Sequence, residues 1–399
     1  MRRLAWLTIL SAFALELTAC AEATSSEADA AMHVDGGFDQ RSPDSGNPIN
    51  DGAMTPRCDL GSSVDGGEES LFVSATAADG TAYAAERRNG TWAIVSAAGA
   101  GLSSLVATSF AGRPVVIGRQ TNDALVAATT DACVAQLPAP MPLFSMALTA
   151  ERPAPIGGAT IDLVFRGSIS GDERLFYTRY DGSWQPPTAL GNFLSTLPPV
   201  ALRSGAQIHV LFTGTDNKLY DGTVDTNGGA ATQLPNATSD HGPAGITSAD
   251  GITYVSWKGD DTNLYYTMRV AGGAYAAPLA LCTGQTSCLI ASNDAPVTSL
   301  DSSGAPTAAW IGKSDGFVYT SRYDVGSAAW SAALAATTEA STLLPALAPG
   351  LSDSALELVY VRASDGQGRH VRKLGAVFSS AVDLPGAKIG SRPSLLRVP

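Results

Sequence analysis

The sequence predicts an all-β fold, a seven-bladed β-propeller of four-stranded antiparallel blades closed by the C-terminal strand. Three observations lead there. An aromatic or apolar residue, a small residue, an Asp turn and an apolar pair recur seven times, with Asp79, Asp123, Asp172, Asp216, Asp261, Asp315 and Asp365 spaced 44 to 54 residues apart. A period of roughly 40–50 residues built from short strands and Gly/Asp turns is that of one four-stranded blade. Each repeat also carries a stretch in which apolar and polar residues alternate, the period of a strand. Finally, the first repeat lacks an opening strand, while the chain ends in a spare one.

The clearest repeats run Val164-Phe165-Arg166-Gly167 to Asp172 and Leu175-Phe176-Tyr177, and Leu211-Phe212-Thr213-Gly214 to Asp216 and Leu219-Tyr220. Two more run Trp257-Lys258-Gly259 to Asp261 and Leu264-Tyr265-Tyr266, and Trp310-Ile311-Gly312 to Asp315 and Phe317-Val318-Tyr319. The second strand of a blade is legible in Ile161 to Phe165, Ile208 to Phe212 and Leu356 to Tyr360. One face of it is apolar and the other carries Asp162, His209 or Glu357. An Asp/Gly turn leads to a third strand such as Leu175 to Tyr180, and a second turn leads to an aromatic of the fourth strand: Trp92, Trp184, Tyr275, Trp330 or Phe378. First strands open on proline, as at Pro198-Pro199-Val200, Pro296-Val297 and Pro345-Ala346. The chain enters the first blade near Leu71, directly in a second strand. Pro393 to Val398 has the form of the missing first strand, and its exchange between termini leaves no sheet edge open.

Residues 1–19 read as a signal peptide, with Arg2 and Arg3 ahead of an apolar run from Leu4 to Leu17 that is too short to remain as a membrane span. Leu17-Thr18-Ala19-Cys20 resembles a bacterial lipobox, which implies lipidation of Cys20 and makes the lipid the only membrane anchor. Ala21 after that Cys implies the outer membrane of a Gram-negative bacterium. Residues 20–57, rich in Ala, Ser, Gly, Asp, Asn and Pro, cannot bury enough apolar area to fold and are expected to form a tether; residues 58–399 form the propeller. Cys58, Cys133, Cys282 and Cys288 are an even set suited to an oxidising compartment. Four cysteines allow three pairings; the short loop between Cys282 and Cys288 favours their pairing, and Cys58 with Cys133 by elimination.

The formal net charge of -12 argues against nucleic acid and anionic lipid as partners. No cysteine or histidine spacing suits a metal, and no cofactor is expected. The six arginines Arg166, Arg174, Arg179, Arg203, Arg269 and Arg322 fall at different repeat positions and read as scattered surface charges. Asn89-Gly90-Thr91-Trp92 and Asp181-Gly182-Ser183-Trp184 have Gly adjacent to the Asn or Asp, so they are turn signals and not the Asp boxes of sialidases.

The run aromatic-x-Gly-x-Asp-x-x-Leu-Tyr followed by Asp-Gly-x-Trp resembles the repeats of fucose-binding-lectin-like propellers and related bacterial propellers. Arg166-Gly167, Leu175-Phe176-Tyr177 and Asp181-Gly182-Ser183-Trp184 are the nearest copy, and the resemblance covers about residues 68 to 399. It implies that Trp, Arg and acidic residues between adjacent blades grip a sugar. Trp257 and Trp310, however, share a column with Phe165, Phe212 and Tyr360, which favours a place in the blade core. The expected ligand sector is the rim of the second-to-third-strand turns, with Arg166, Asp172, Asp216, Lys218, Trp257, Lys258, Asp261, Trp310 and Asp315 as candidates. These aspartates can equally serve their own turn backbones. The reading is a surface-tethered binding propeller whose partner is a glycan. The alternatives are an envelope scaffold with a protein partner and, second, a sialidase-like glycoside hydrolase.

Overall fold

In a computed structural model of the chain, the described residues are 69–95, 102–120, 122–129, 149, 151–168, 172–225, 229–281, 291–351 and 354–398. Cys20, the tether, Cys58, Cys133, Cys282 and Cys288 lie outside them. The described chain is all strand and turn, in seven antiparallel sheets. Blade 1 joins Ser394–Val398 to Ser70–Thr76, Ala82–Arg88 and Thr91–Val95. Blade 2 contains Leu102–Phe110, Arg113–Gln120 and Leu125–Thr129. Blade 3 runs Ala154–Ile156, Ile161–Arg166, Arg174–Tyr180 and Thr188–Leu194, and blade 4 runs Val200–Ser204, Gln207–Thr213, Lys218–Thr223 and Ala231–Thr238. Blade 5 has Ala244–Thr247, Thr253–Lys258, Leu264–Arg269 and Leu279–Ala280. In blades 6 and 7 the fourth position is split. Ala329–Trp330 and Leu334–Ala340 both pair with Phe317–Asp324, and Val377–Phe378 and Val382–Lys388 both pair with Gln367–Leu374. Their inner pairs are Val297–Leu300 with Pro306–Ile311 and Ala346–Pro349 with Leu356–Val361.

The seven first strands lie side by side in blade order, and the last, in blade 7, meets that of blade 1. The ring is closed as the sequence predicts: Ser394–Val398 pairs antiparallel with Ser70–Ser74. Arg397 adds a charged bond to Glu69 and donates to the Gly350 carbonyl at 2.9 Å. Apolar packing is divided among blade interfaces. Ile161, Leu163, Phe165 and Phe176 pack with Val115 and Ile117 of blade 2, while Trp257 packs with Leu202 and Leu211 of blade 4.

The repeated turn explains the motif. In blades 4, 5 and 6 an aspartate accepts the backbone N–H two residues on and the hydroxyl of a tyrosine four on: Asp216 with Tyr220 at 2.9 Å, Asp261 with Tyr265 at 2.7 Å, Asp315 with Tyr319 at 2.5 Å. The tyrosine ring lies over the preceding glycine, so that a Cβ on Gly214, Gly259 or Gly312 would come within 2.6 to 2.7 Å of it. That contact, more than backbone freedom, requires glycine. In blade 2 the turn acceptor is Asn122, which takes the Ala124 N–H at 3.1 Å, and not the neighbouring Asp123 that the spacing singled out. Asp123 is instead in the left-handed region at φ 65°.

A second repeat was not read from the sequence. Thr149, Ser195, Ser239, Ser292 and Ser341, all buried in the connections between blades, each donate a backbone N–H to the preceding second-to-third-strand turn at 2.8 to 3.0 Å. The hydroxyls of the first four accept the N–H two residues later at 3.0 to 3.3 Å. This fastens connection to turn on one face of the ring. The first-to-second-strand turns, Glu69 and Val398 lie on the other.

Candidate functional site

The rim residues proposed from sequence are committed to the scaffold. Asp172 accepts the Arg174 guanidinium at 2.7 and 2.8 Å, and that bond holds its carboxyl below the usual range. The Tyr265 hydroxyl does the same for Asp261. Lys218 lies 3.4 Å from Asp216, Arg166 lies 3.6 Å from Glu151, and the buried Lys258 donates to Asp240 at 2.6 Å. Trp257 and Trp310 are 2% and 0% exposed and stack on Tyr265 and Tyr319, so neither ring face is open to a ligand. The blade-core placement holds for both.

The polar concentrations that the rim reading missed lie between blades, toward the opposite face. They follow one construction. A side chain on the second strand meets one on the third, diagonally, because both project from the same side of the pleat. Leu211 faces Asp221, Val359 faces His370 and Val164 faces Tyr177, so the side chains two residues back, His209, Glu357 and Asp162, reach those partners. Between blades 4 and 5 and between blades 7 and 1 the next blade then contributes the end of its third strand and the aromatic of its fourth, whereas between blades 3 and 4 it contributes Arg203 from its first strand.

Between blades 4 and 5, His209 Nδ1 lies 3.0 Å from Asp221 Oδ1. Asp221 Oδ2 accepts the Tyr275 hydroxyl at 2.7 Å and the Arg269 guanidinium at 2.6 Å. The guanidinium is also centred 4.8 Å above the Tyr275 ring. Burial, with Asp221 adding to it, pushes the Tyr275 hydroxyl far above its ordinary range, so it stays a donor. Arg269 Nε is buried without a hydrogen-bond partner among the described residues.

Between blades 7 and 1, His370 Nε2 lies 2.7 Å from Glu357 Oε2, while Trp92 Nε1 donates to His370 Nδ1 at 3.4 Å. Those bonds place the imidazole proton on Nε2, donating to Glu357. Ser354 also donates to Glu357, and Arg87, directly across from Trp92, completes the set. Between blades 3 and 4, the buried Asp162 accepts the Tyr177 hydroxyl at 2.6 Å and the guanidinium of Arg203 from the neighbouring blade. Arg179 stands 4.0 Å away. Arg203 and Arg179 are each about two-fifths exposed, at 42% and 43%, so this cleft is open to solvent. The arginines read as scattered surface charges are therefore organised: Arg203 and Arg269 cross blade boundaries to buried carboxylates, and Arg322 holds the buried Asp301 at 2.6 Å. Burial of the carboxylate is the reason a cation is needed beside it.

One cleft has the same positions and other contents. Between blades 5 and 6 they are Tyr254, Tyr266, Tyr323 and Trp330, all buried, with ring centroids 5.2 to 6.1 Å apart. Separately, a cavity of about 480 Å³ lies against the inner strands of blades 6, 7 and 1, lined by Ser299, Leu347, Pro349 and Leu396 with the Glu69 and Arg397 pair. Its one lining carboxylate is thus held by an arginine. Among the described residues no cluster of His, Cys, Asp and Glu has the form of a metal site.

No protein-family model and no curated protein matches the chain. Among solved structures, it is similar to the BP39L lectin from Burkholderia pseudomallei, at 14% identity over 79% of this chain and 95% of that one, with a TM-score of 0.61. The fucose-specific lectin from Aleuria aurantia aligns at 15% identity over 67% of this chain and 90% of that one, with a TM-score of 0.48. At such identities the likeness is one of fold, and the Burkholderia protein carries it: this chain has the β-propeller architecture of that lectin.

Proposed function

We propose that this protein is a non-catalytic carbohydrate-binding propeller, with sugar sites in the polar clefts between blades 3 and 4, 4 and 5, and 7 and 1. The observation that carries the proposal is the aromatic cleft between blades 5 and 6. It shows that this scaffold packs when the four positions used between blades 4 and 5 and between blades 7 and 1 hold only aromatic side chains. Buried charge clusters are commonly no more stabilising than well-packed apolar side chains of similar volume. Their recurrence in three clefts therefore points to recognition. Each combines hydroxyl-binding groups with an aromatic side chain, the chemistry of a sugar site. The lectin fold of the structural neighbour is consistent with this use.

We further propose that the propeller is exported and held by a lipid on Cys20 at the outer membrane of a Gram-negative bacterium. The described chain begins at Glu69 on the face toward which the polar clefts open. A second reading, a protein-binding scaffold, is favoured by one feature. Ile94, Val377 and Val382 are 55%, 63% and 54% exposed on the outer strands of blades 1 and 7, and Ile94 reaches across to Gly386.

A glycan array probed with residues 58–399, beside Arg203→Ala and Asp315→Asn, tests the proposal. Binding by the parent, lost or weakened at least tenfold in Arg203→Ala and kept in Asp315→Asn, is the expected result. Absence of parental binding to any glycan would transfer the assignment to the scaffold.

A further inference from the structure

The axis of the ring carries a second concentration of charge, on the face opposite the polar clefts. Arg152 stands just before the first strand of blade 3, and Arg392 just before that of blade 1. The guanidinium of Arg152 donates to the carbonyls of Arg392 at 3.1 Å and Pro393 at 3.2 Å. Blades 1 and 3 are not neighbours, since the first strand of blade 2 lies between theirs. A side chain can join them only where the inner strands converge, so Arg152 crosses at the mouth of the central channel.

The crossing places two cations together. Arg152 spends its donors on backbone carbonyls, which leave its charge unneutralised. Arg392 forms no salt bridge among the described residues, and its Nε is buried without a hydrogen-bond partner there. Arg166, behind them at the end of the second strand of blade 3, likewise has a buried Nε without such a partner. The carboxylates nearby are Glu151, 3.6 Å from Arg166, and Asp294, which is 3.8 Å from His241. Burial lowers the Arg152 guanidinium, and the charge of Arg392 adds to the shift. Burial also pushes Arg392 down to about 10, against the pull of Asp294. A guanidinium keeps its proton in a protein, so both groups carry positive charge.

We infer that this mouth of the central channel is a binding site for an oxyanion, a carboxylate or a sulfate group carried by a ligand that approaches along the axis. The Arg392 guanidinium, with a shielded N–H that has no partner among the described residues, is the donor group for such an anion, and the charge of Arg152 beside it adds to the attraction. In a chain whose formal net charge is -12, a cationic mouth is a local exception that draws anions to one place. The site is independent of the interblade clefts and would stand if those bound no sugar.

The test is titration of the oxidised propeller with sodium sulfate, and separately with methyl glucuronide, at ionic strength held constant with sodium chloride. Binding would be read by calorimetry and by the Nε–H resonance of Arg392. Saturable binding of either anion that shifts that resonance, with affinity at least tenfold weaker in Arg392→Gln and partly restored in Arg392→Lys, is the expected result. The tighter of the two identifies the anion class. Should Arg392→Gln fail to fold, the resonance in the parent decides. Titration indistinguishable from chloride, an unmoved Arg392 resonance, or unchanged affinity in a folded Arg392→Gln would overturn the inference.

Discussion

The clefts on either side of blade 5 have the same framework and opposite fillings. Toward blade 4 the four positions hold His209, Asp221, Arg269 and Tyr275; toward blade 6 they hold Tyr254, Tyr266, Tyr323 and Trp330. The two sets occupy the same positions of the pleat; the aromatic four are all buried, whereas in the polar cleft His209 and Asp221 are buried and Arg269 and Tyr275 are half-buried. The aromatic cleft is held by area and ring geometry, which need no partner for each atom. The polar cleft is held by mutual satisfaction, in which every removal leaves a charge behind. Aromatic filling is thus a sufficient structural solution, and polar filling is one that requires a further reason.

The largest expected effect concerns neither cleft but the ring that makes both. Removal of Ser394–Val398 strips the partner from Ser70–Ser74 and opens a sheet edge. The truncated chain is expected to lose cooperative unfolding by calorimetry; a transition within a few degrees of the parent would mean that closure is dispensable. Within the clefts, Asp221→Ala leaves His209, Arg269 and the Tyr275 hydroxyl without their acceptor. A loss of about 3–5 kcal/mol in urea denaturation is expected. Tyr323→Phe in the aromatic cleft removes only a hydroxyl 3.5 Å from the Met268 sulfur, and less than about 0.5 kcal/mol is expected. Equal losses in the two variants would erase the distinction between the clefts.

Smaller effects test the rim. Tyr319→Phe deletes the 2.5 Å bond to Asp315 while leaving the ring on Gly312, and about 1 kcal/mol is expected by denaturation. The smallest is a pH effect at Asp240. The Lys258 ammonium, with His241 assisting, lowers its carboxyl from 3.8 to about 2. A depressed folded-state value contributes stability above the unfolded value, and that stability fades as pH falls from 3.8 toward about 2. Because Asp240 is half exposed, solvent screening keeps the contribution small. A carboxyl-carbon NMR titration should show the midpoint returning toward 3.8 in Lys258→Met, and an unmoved midpoint would remove Lys258 as the cause.

The ring was legible because its determinants are local: the Asp turn, the glycine beneath an aromatic, and the proline before a first strand each recur within a few residues. The exchanged terminal strand was legible as one missing piece matched by one surplus piece. Of the four cleft positions, two left a trace in sequence: the polar residue of the second strand (Asp162, His209, Glu357) and the aromatic of the fourth (Trp92, Tyr275, Trp330). The other two did not. Asp221 and His370 become partners only through strand register, and Arg269 only across a blade boundary about 60 residues away. The two roles open to the rim aspartates were not separable in the sequence for a related reason. A turn that binds its own backbone and a site that awaits a ligand both require exposed carboxylates, and only the tyrosine hydroxyl four residues on separates them.

The most direct test copies one cleft into the other: His209→Tyr, Asp221→Tyr, Arg269→Tyr and Tyr275→Trp together, followed by urea denaturation and by glycan binding. The account predicts a folded propeller at least as stable as the parent, with sugar affinity reduced at this cleft. A variant that fails to fold would show that the polar cluster serves the scaffold, and a stable one that binds the parent's glycan unchanged would show that the cluster does not bind sugar.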